Sequence, residues 1–266
     1  MQLVVTMNKI KQMKIALFQH SLIWEDPKSN RAFIEACFNQ EKNPFDVFIL
    51  PEMFTSGFTM NPFSIAETMN GETISWMKTL AAQKECALCG SLVILENKKN
   101  YNRFVFVHPS GKVDFYNKRH LFSLAGEDLT YTKGGSKTII NYKDWKICPQ
   151  ICYDLRFPAF SRNHEEFDVL LYVANWPTIR INAWNILLKA RAVENLCYVV
   201  AVNRTGTDDN LHHYNGQSQV IDELGNTILN LNENEGIFII ELNQEKMLET
   251  RKKLNFLNDR DNYSIL

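Results

Sequence analysis

The chain is 266 residues long, with 45% hydrophobic and 22% charged residues, a composition typical of a globular protein with one sizeable core. Its formal net charge of -1 excludes the strongly basic balance with which proteins bind nucleic acids or anionic membrane surfaces. No apolar run is long enough to span a bilayer, and no signal-peptide pattern is recognisable, so we expect a cytoplasmic protein.

We expect one folded domain with a short lead-in before it. Residues 1–12 precede the first strand pattern and are expected to be poorly ordered. Residues 13–266 contain no low-complexity tract and no linker rich in glycine, serine or proline. The length also falls within the range of one α/β domain, so the sequence predicts a single domain over 13–266.

Strand patterns alternate with amphipathic helical patterns along this domain. Asp26 followed by Pro27 is typical of a helix start, a capping residue and then a proline at the first helical position. Strands are predicted at 13–19, 46–50, 86–95, 103–108, 112–117, 137–142, 145–151, 168–173, 197–203, 217–223, 227–230 and 237–242. Helices are predicted at 27–40, 72–84, 181–195 and 244–253. Two halves that each combine strands with one-sided helices predict a layered α/β sandwich.

The cysteines and histidines form no recognisable metal site. The six cysteines are expected to be reduced thiols, since no secretory signal accompanies them. Cys86 and Cys89 have metal-ligand spacing, but residues three apart on a strand point to opposite faces, and a second ligand pair is missing. His212 and His213 lie in a polar loop and are expected at the surface, away from any ligand set. The sequence therefore predicts no bound metal.

Cys152 lies where a predicted strand meets a predicted helix. The strand at 145–151 ends at this thiol, and Pro158 is pre-shaped for the first position of a helix. The positive end of a helix would lower the thiol pKa and favour a nucleophile. Free cysteine is more often a buried hydrophobe, but Asp154 and Arg156 follow closely, and charged residues rarely crowd an inert core thiol. Cys152 is therefore a candidate nucleophile.

Two more charged residues follow predicted strands. Glu52 comes just after the apolar strand at 46–50 and has apolar neighbours such as Phe58, a setting suited to a general base. Lys118 follows the strand at 112–117. Either residue could be a solvated loop residue on its own. A cysteine amide hydrolase, however, needs a base for the thiol proton and a cation for the negative oxygen of its tetrahedral intermediate. Glu52, Lys118 and Cys152 would supply all three groups.

Three segments resemble the signature segments of the nitrilase superfamily of carbon–nitrogen hydrolases. They are 51–54 (PEMF), 116–122 (YNKRHLF) and 152–158 (CYDLRFP). Their order and spacing are also similar, and the resemblance runs from Met13 to the C-terminal helix. It implies a four-layer α-β-β-α sandwich, hydrolysis of a small-molecule amide, a homodimer, and no metal or organic cofactor. The pair Pro149 and Gln150 departs from the pattern, because it interrupts the apolar strand before the thiol.

The resemblance also implies a role for each site residue. Glu52 would be the general base, Cys152 the nucleophile and Lys118 the cation that stabilises the oxyanion. Glu127 matches a second family glutamate, which positions the lysine. The backbone N–H of Tyr153 would be the other oxyanion donor. Cys152 would attack the amide carbon, ammonia would leave, and water would cleave the resulting thioester.

Within the superfamily, the chain is most similar to the omega-amidase branch. The segments behind this are 53–58 (MFTSGF), 118–122 (KRHLF), 172–177 (YVANWP) and 191–195 (RAVEN). That branch hydrolyses the terminal amide of 2-oxoglutaramate and related dicarboxylic monoamides. The alternatives are an N-carbamoyl amino acid amidohydrolase, a nitrilase, or a catalytically silent binding subunit.

An ω-amide substrate would need a pocket with a donor for its distal carboxylate. Arg156 or the backbone of Trp176 is a candidate donor. The alternative for Arg156 is a structural ion pair with Asp154 or Glu194, and the sequence does not decide between the two roles. The other residues expected to form the pocket are Phe58, Phe122 and Asn175.

Overall fold

The structure is a computed structural model, and it describes residues 12–265. Most of the expected lead-in, 1–11, therefore lies outside the described residues, whereas Gln12 is already part of the first strand. Six α-helices form in the described chain, namely α1 (Pro27–Gln40), α2 (Glu72–Lys84), α3 (Glu127–Thr130), α4 (Pro158–Ser161), α5 (Ile181–Asn195) and α6 (Gln244–Leu254). None of these helices is long and apolar enough to cross a membrane. The predicted bounds of α2 and α5 are confirmed.

The strands of the described residues belong to two large sheets and one small hairpin. Sheet 1 has the order β14 (Gly236–Asn243), β1 (Gln12–Gln19), β2 (Val47–Ile49), β3 (Ala87–Glu96), β4 (Lys99–Val107) and β5 (Val113–Asn117). Sheet 2 has the order β13 (Thr227–Asn230), β12 (Gln219–Ile221), β9 (Tyr198–Asn203), β8 (Val169–Ala174), β7 (Trp145–Ile151) and β6 (Ile140–Tyr142). The hairpin, β10 (Thr205–Thr207) with β11 (His213–Asn215), was not predicted.

Alternating side chains of each sheet enter different hydrophobic layers. In β1, Ile15 and Leu17 face the core between the sheets, whereas Ala16 and Phe18 face the layer that contains α1 and α2. The strand β8 divides in the same way between the central core and the layer against α5. This period of two is the pattern expected of a strand covered on both faces. The order of layers is α-β-β-α, which confirms the predicted four-layer sandwich.

The candidate site residues follow the carboxyl ends of strands in both sheets. In sheet 1, β1, β2 and β3 run parallel, and β5 shares their direction because β4 is antiparallel to both β3 and β5. In sheet 2, β7, β8 and β9 run parallel. Glu52 and Lys118 therefore follow strands that end at one edge of sheet 1, and Cys152 follows a strand of sheet 2.

Two predictions about individual residues are settled by this packing. Pro149 and Gln150 do not interrupt β7, which pairs with β8 from Ile147 to Ile151. The other neighbour, β6, pairs only as far as Ile147, so the missing N–H of the proline leaves no gap in a ladder on that side. Cys86 and Cys89 lie in different hydrophobic clusters on opposite faces of sheet 1, as predicted.

Candidate active site

Lys118 lies between two carboxylates in the interior of the protein. Its Nζ atom is 2.9 Å from Oε1 of Glu52 and 2.9 Å from each carboxylate oxygen of Glu127. All three side chains are fully buried. Burial opposes the charge on Lys118, but the carboxylates of Glu127 and Glu52 outweigh that effect and raise its pKa. Lys118 is thus held as a cation.

The two carboxylates are close enough to repel each other. Burial raises the pKa of Glu127, the nearby Lys118 opposes that shift, and the charge of Glu52 adds to it. Hydrogen bonds compensate part of this cost: Phe122 donates its backbone N–H to Glu127 Oε2 at 2.6 Å. Glu127 is the first residue of α3, so the turn that starts this helix also places the carboxylate beside Lys118.

Asn102 of β4 bridges the same two carboxylates. Its Nδ2 atom donates to Glu52 Oε1 at 2.8 Å and to Glu127 Oε1 at 3.1 Å. Its own Oδ1 accepts from the hydroxyl of Ser91 at 2.8 Å, which fixes the orientation of the amide. Asn102 was not among the residues predicted for the site. The predicted strand begins one residue later, at 103, whereas β4 begins at Lys99, so no strand pattern marked Asn102 as buried.

Cys152 occupies a sharp corner at the end of β7. Its backbone φ is 44°, in the left-handed region, and it begins a 3₁₀ helix, Cys152–Arg156. A non-glycine residue in this region is uncommon and costs free energy, on the order of 1–3 kcal/mol, which the surrounding structure must offset. The corner turns the thiol out of the strand and toward Glu52, whose carboxylate is near enough to affect the pKa of the thiol.

The predicted lowering of the Cys152 pKa is wrong. Burial raises the pKa of this thiol well above its ordinary value, and the negative charge of Glu52 adds to the shift, while Lys118 only partly opposes it. The helix that starts at Cys152 is a 3₁₀ helix of five residues, too short to supply the dipole that was assumed. The thiol is therefore protonated at rest and requires a base for its activation.

Asp154 ties the Cys152 corner to the segment that carries Lys118. One carboxylate oxygen, Oδ2, accepts from the backbone N–H of Ile151 and from the hydroxyl of Tyr116, at 2.9 and 2.8 Å. The other, Oδ1, accepts from the backbone N–H of His120 at 3.0 Å and lies 2.7 Å from its Nδ1. Asp154 thereby fixes the distance between the two sheets at the site.

Asn175, the residue after β8, holds Glu52 from the opposite sheet. Its backbone N–H donates to Glu52 Oε2 at 2.8 Å, and its Nδ2 donates to the backbone carbonyl of Glu52 at 2.7 Å. The carboxylate of Glu52 is therefore bonded on both oxygens, by Lys118 and Asn102 on Oε1 and by Asn175 on Oε2.

A cavity of about 640 Å³ opens above this cluster. Its size suits a small metabolite. Most of the residues predicted for the site line it, namely Phe58, Lys118, Phe122, Cys152, Tyr153, Arg156, Asn175 and Trp176. Glu52 and Glu127 are fully buried beside Lys118 rather than in the cavity wall. Within residues 12–265, no group of histidine, cysteine and acidic side chains is arranged to hold a metal ion.

The cavity wall answers one question that the sequence left open, at Arg156, and adds to one prediction, at His212. Arg156 has no ion pair in the part of the chain that is described: Asp154 binds the groups above, and Glu194 pairs with Arg191 at 3.0 Å. Its guanidinium instead lies over the ring of Trp176. His212 is exposed, as predicted, but it also lines the cavity. This position of His212 was not predicted, because the β10–β11 hairpin that places it was not predicted either.

Comparison with known families decides the class of the protein. The model of the carbon-nitrogen hydrolase family matches residues 14–252. The chain belongs to the carbon–nitrogen hydrolase family. It is a hydrolase that acts on carbon–nitrogen bonds other than peptide bonds, as the sequence predicted.

Relatives of this carbon–nitrogen hydrolase include two curated amidases and a solved structure. An omega-amidase from Escherichia coli (strain K12) is 39% identical, over 95% of this chain and 98% of its own. A 2-oxoglutaramate amidase from Bacillus subtilis (strain 168) is 30% identical, over 92% of this chain and 96% of its own. A superfamily protein from Xanthomonas campestris, solved with an arsenic adduct in its active site, is 40% identical with a TM-score of 0.93, over 96% of this chain and 99% of its own.

The raised pKa of Cys152 leads to a measurable expectation. Its thiolate should form only at a pH above the ordinary range for cysteine, because burial and Glu52 both disfavour the negative sulfur. Thiolate absorbance in the ultraviolet, recorded against pH for the wild-type protein and for Cys152→Ser, isolates this sulfur as the difference between the two curves. A difference that is complete near neutral pH would contradict the assignment.

Proposed function

We propose that this protein is an omega-amidase, which hydrolyses the terminal amide of 2-oxoglutaramate and similar dicarboxylic monoamides to the acid and ammonia. The observation that carries the proposal is the convergence of Glu52, Lys118 and Cys152 at the floor of a small cavity. The relatives named omega-amidase and 2-oxoglutaramate amidase, which match nearly the whole chain, support the substrate class.

In the first half of the reaction, Cys152 is the nucleophile and Glu52 is the general base. The thiol donates its proton to Glu52 as sulfur bonds to the amide carbon. Glu52 lies near enough to raise the pKa of the Cys152 thiol, and this proximity supports the role. Glu52 then returns the proton to the amide nitrogen, the carbon–nitrogen bond breaks, and ammonia leaves. The acyl group remains on sulfur as a thioester.

Lys118 and the backbone N–H of Tyr153 stabilise the negative oxygen that forms on the carbonyl. A lysine ammonium has three protons. We assign one to Glu52 and one to the two oxygens of Glu127 together, all three oxygens being 2.9 Å from Nζ, so that the third can be donated into the cavity. Tyr153 is in the first turn of its 3₁₀ helix, where backbone N–H groups have no acceptor within the helix. Glu127 acts as a positioning residue for Lys118.

In the second half, water cleaves the thioester. Glu52 takes a proton from the attacking water, the carbonyl oxygen again receives hydrogen bonds from Lys118 and Tyr153, and the carbon–sulfur bond breaks. The sulfur is reprotonated and the carboxylic acid leaves. Each group therefore acts twice, which is why Glu52 must be held by several partners rather than be free to rotate.

The same residues would accept other small amides, so the far end of the cavity decides the substrate class. Arg156 lines this cavity without an ion-pair partner in residues 12–265, and we assign it to the distal carboxylate. Phe58, Phe122 and Trp176 supply apolar walls for the carbon chain. We further propose that the protein acts in the cytoplasm.

We also propose that two copies associate through the outer face of α5. Ile186 and Val193, two helical turns apart on that helix, are 59% and 50% exposed. Ile179 and Leu224 are exposed as well, at 87% and 51%. Several large apolar side chains exposed on or beside one helix are typical of a protein interface.

Replacement of Cys152 tests the proposed activity. Cys152→Ala should lower ammonia release from 2-oxoglutaramate by at least about 10³-fold, since the nucleophile is removed. The matched control is Cys86→Ala, at a core thiol whose pKa burial raises to about 12 and which should turn over normally. A panel with carbamoyl amino acids and nitriles compares the alternative substrates. Preference for one of those, or activity that survives in Cys152→Ala, would contradict the proposal.

A charge on the face of α5 tests the dimer. Ile186→Asp should shift the protein to the monomer in sedimentation experiments, because an interface cannot readily bury an unpaired carboxylate. Leu248→Asp makes the same change on α6, at a side chain that is 44% exposed, and should leave association unchanged. A monomeric wild-type protein, or a dimer in Ile186→Asp, would refute this face as the interface.

A further inference from the structure

The cavity contains a second guanidinium group besides that of Arg156. Arg180 also lines the cavity, and its guanidinium carbon lies 5.1 Å from the ring centroid of Phe122. The corresponding distance from Arg156 to Trp176 is 5.0 Å. Within residues 12–265 neither guanidinium has a carboxylate partner. Both are therefore positioned by aromatic faces, with donors that remain available to a ligand.

The backbone of Arg180 is fixed by the aromatic residue that carries Arg156. The indole N–H of Trp176 donates to the backbone carbonyl of Arg180 at 2.8 Å. Arg180 ends a 3₁₀ helix, Thr178–Arg180, and α5 begins directly after it with no acidic residue in its first turn. Trp176 thus contacts both the guanidinium of Arg156 and the backbone of Arg180. The positive end of the 15-residue helix α5 lies next to Arg180.

The other charged groups of the cavity already have partners. The carboxylate of Glu25 is hydrogen-bonded to the side chains of Thr59 and Asn61. Nδ1 of His212 lies 3.4 Å from Oδ2 of Asp208. The partners of Glu25 are neutral, so its carboxylate and the guanidinium groups of Arg156 and Arg180 are the cavity-wall charges that have no ion pair within residues 12–265. The two cations outnumber this one anion. An anionic group on the substrate would be the natural counterion.

We propose that Arg180 is a specificity-determining residue, which binds the distal carboxylate of the substrate together with Arg156. A carboxylate has enough lone pairs to accept from two guanidinium groups at once. The inference rests on the proposed function and narrows it. The preferred substrates are amides with an anionic group at the end opposite the scissile bond, and neutral amides of the same length are poor substrates.

The test compares an anionic and a neutral amide in matched variants. The substrates are 2-oxoglutaramate and the five-carbon neutral amide pentanamide, and the variants are Arg180→Met, Arg180→Lys and the control Arg260→Met, at an arginine outside the cavity lining. Arg180→Met should raise KM for 2-oxoglutaramate by about tenfold or more, with kcat within about threefold, since a charge-assisted hydrogen bond is lost. Its preference for the anionic amide over pentanamide should fall by a similar factor. Arg180→Lys should restore part of that preference.

Three results would overturn the inference. An unchanged preference in Arg180→Met, equal to that of Arg260→Met, would show that Arg180 does not contact the carboxylate. An equal loss of kcat on both amides would indicate a structural role only. Failure of the wild-type protein to release ammonia from 2-oxoglutaramate would refute the proposed function as well. The first two results refute only the role of Arg180, because they require a wild-type protein that is active.

Discussion

A buried ammonium between two buried carboxylates is the constraint on which the site depends. Removing an ion from water costs several kcal/mol unless it is paired and hydrogen-bonded, so each member of this cluster requires the others. Lys118, Glu52 and Glu127 come from three separate segments, and Asn102 binds both carboxylates. The segments that carry Glu52, Glu127 and Asn102 are therefore held close to Lys118 at this edge of sheet 1. The chemistry proposed for Glu52 uses that already ordered arrangement.

The two sheets make different contributions to this arrangement. Sheet 1 supplies the carboxylate of Glu52 and the ammonium of Lys118, whereas sheet 2 supplies the thiol and, through Asn175, two hydrogen bonds to Glu52. Left-handed backbone at Cys152, with a φ of 44°, and at Met53, also with a φ of 44°, lets the chain leave each sheet abruptly at the cavity floor. Strain at these two corners is the local cost of bringing thiol and carboxylate together.

The sequence predicted most of the fold, because the patterns behind it are local. The helix at 181–195 could be bounded from its own residues, and strands covered on both faces appear as apolar runs. The site residues were predictable only from their positions at three strand ends and from a family resemblance. Asn102 was missed because its role depends on pairing: its carbonyl accepts from the N–H of Lys118 at 2.9 Å only in the register of β4 with β5. The predicted direction of the thiol pKa shift was wrong for a similar reason, since the burial of Cys152 and its approach to Glu52 both arise only in the folded chain.

The central claim is that one amide group fits between the sulfur, the ammonium and the Tyr153 N–H. It is tested most directly by a crystal structure of the Cys152→Ala protein with 2-oxoglutaramate bound. We expect the amide oxygen within hydrogen-bond distance of Lys118 Nζ and the backbone nitrogen of Tyr153, with the amide carbon facing the missing sulfur. A substrate bound with its amide oxygen directed away from Lys118 would contradict the account.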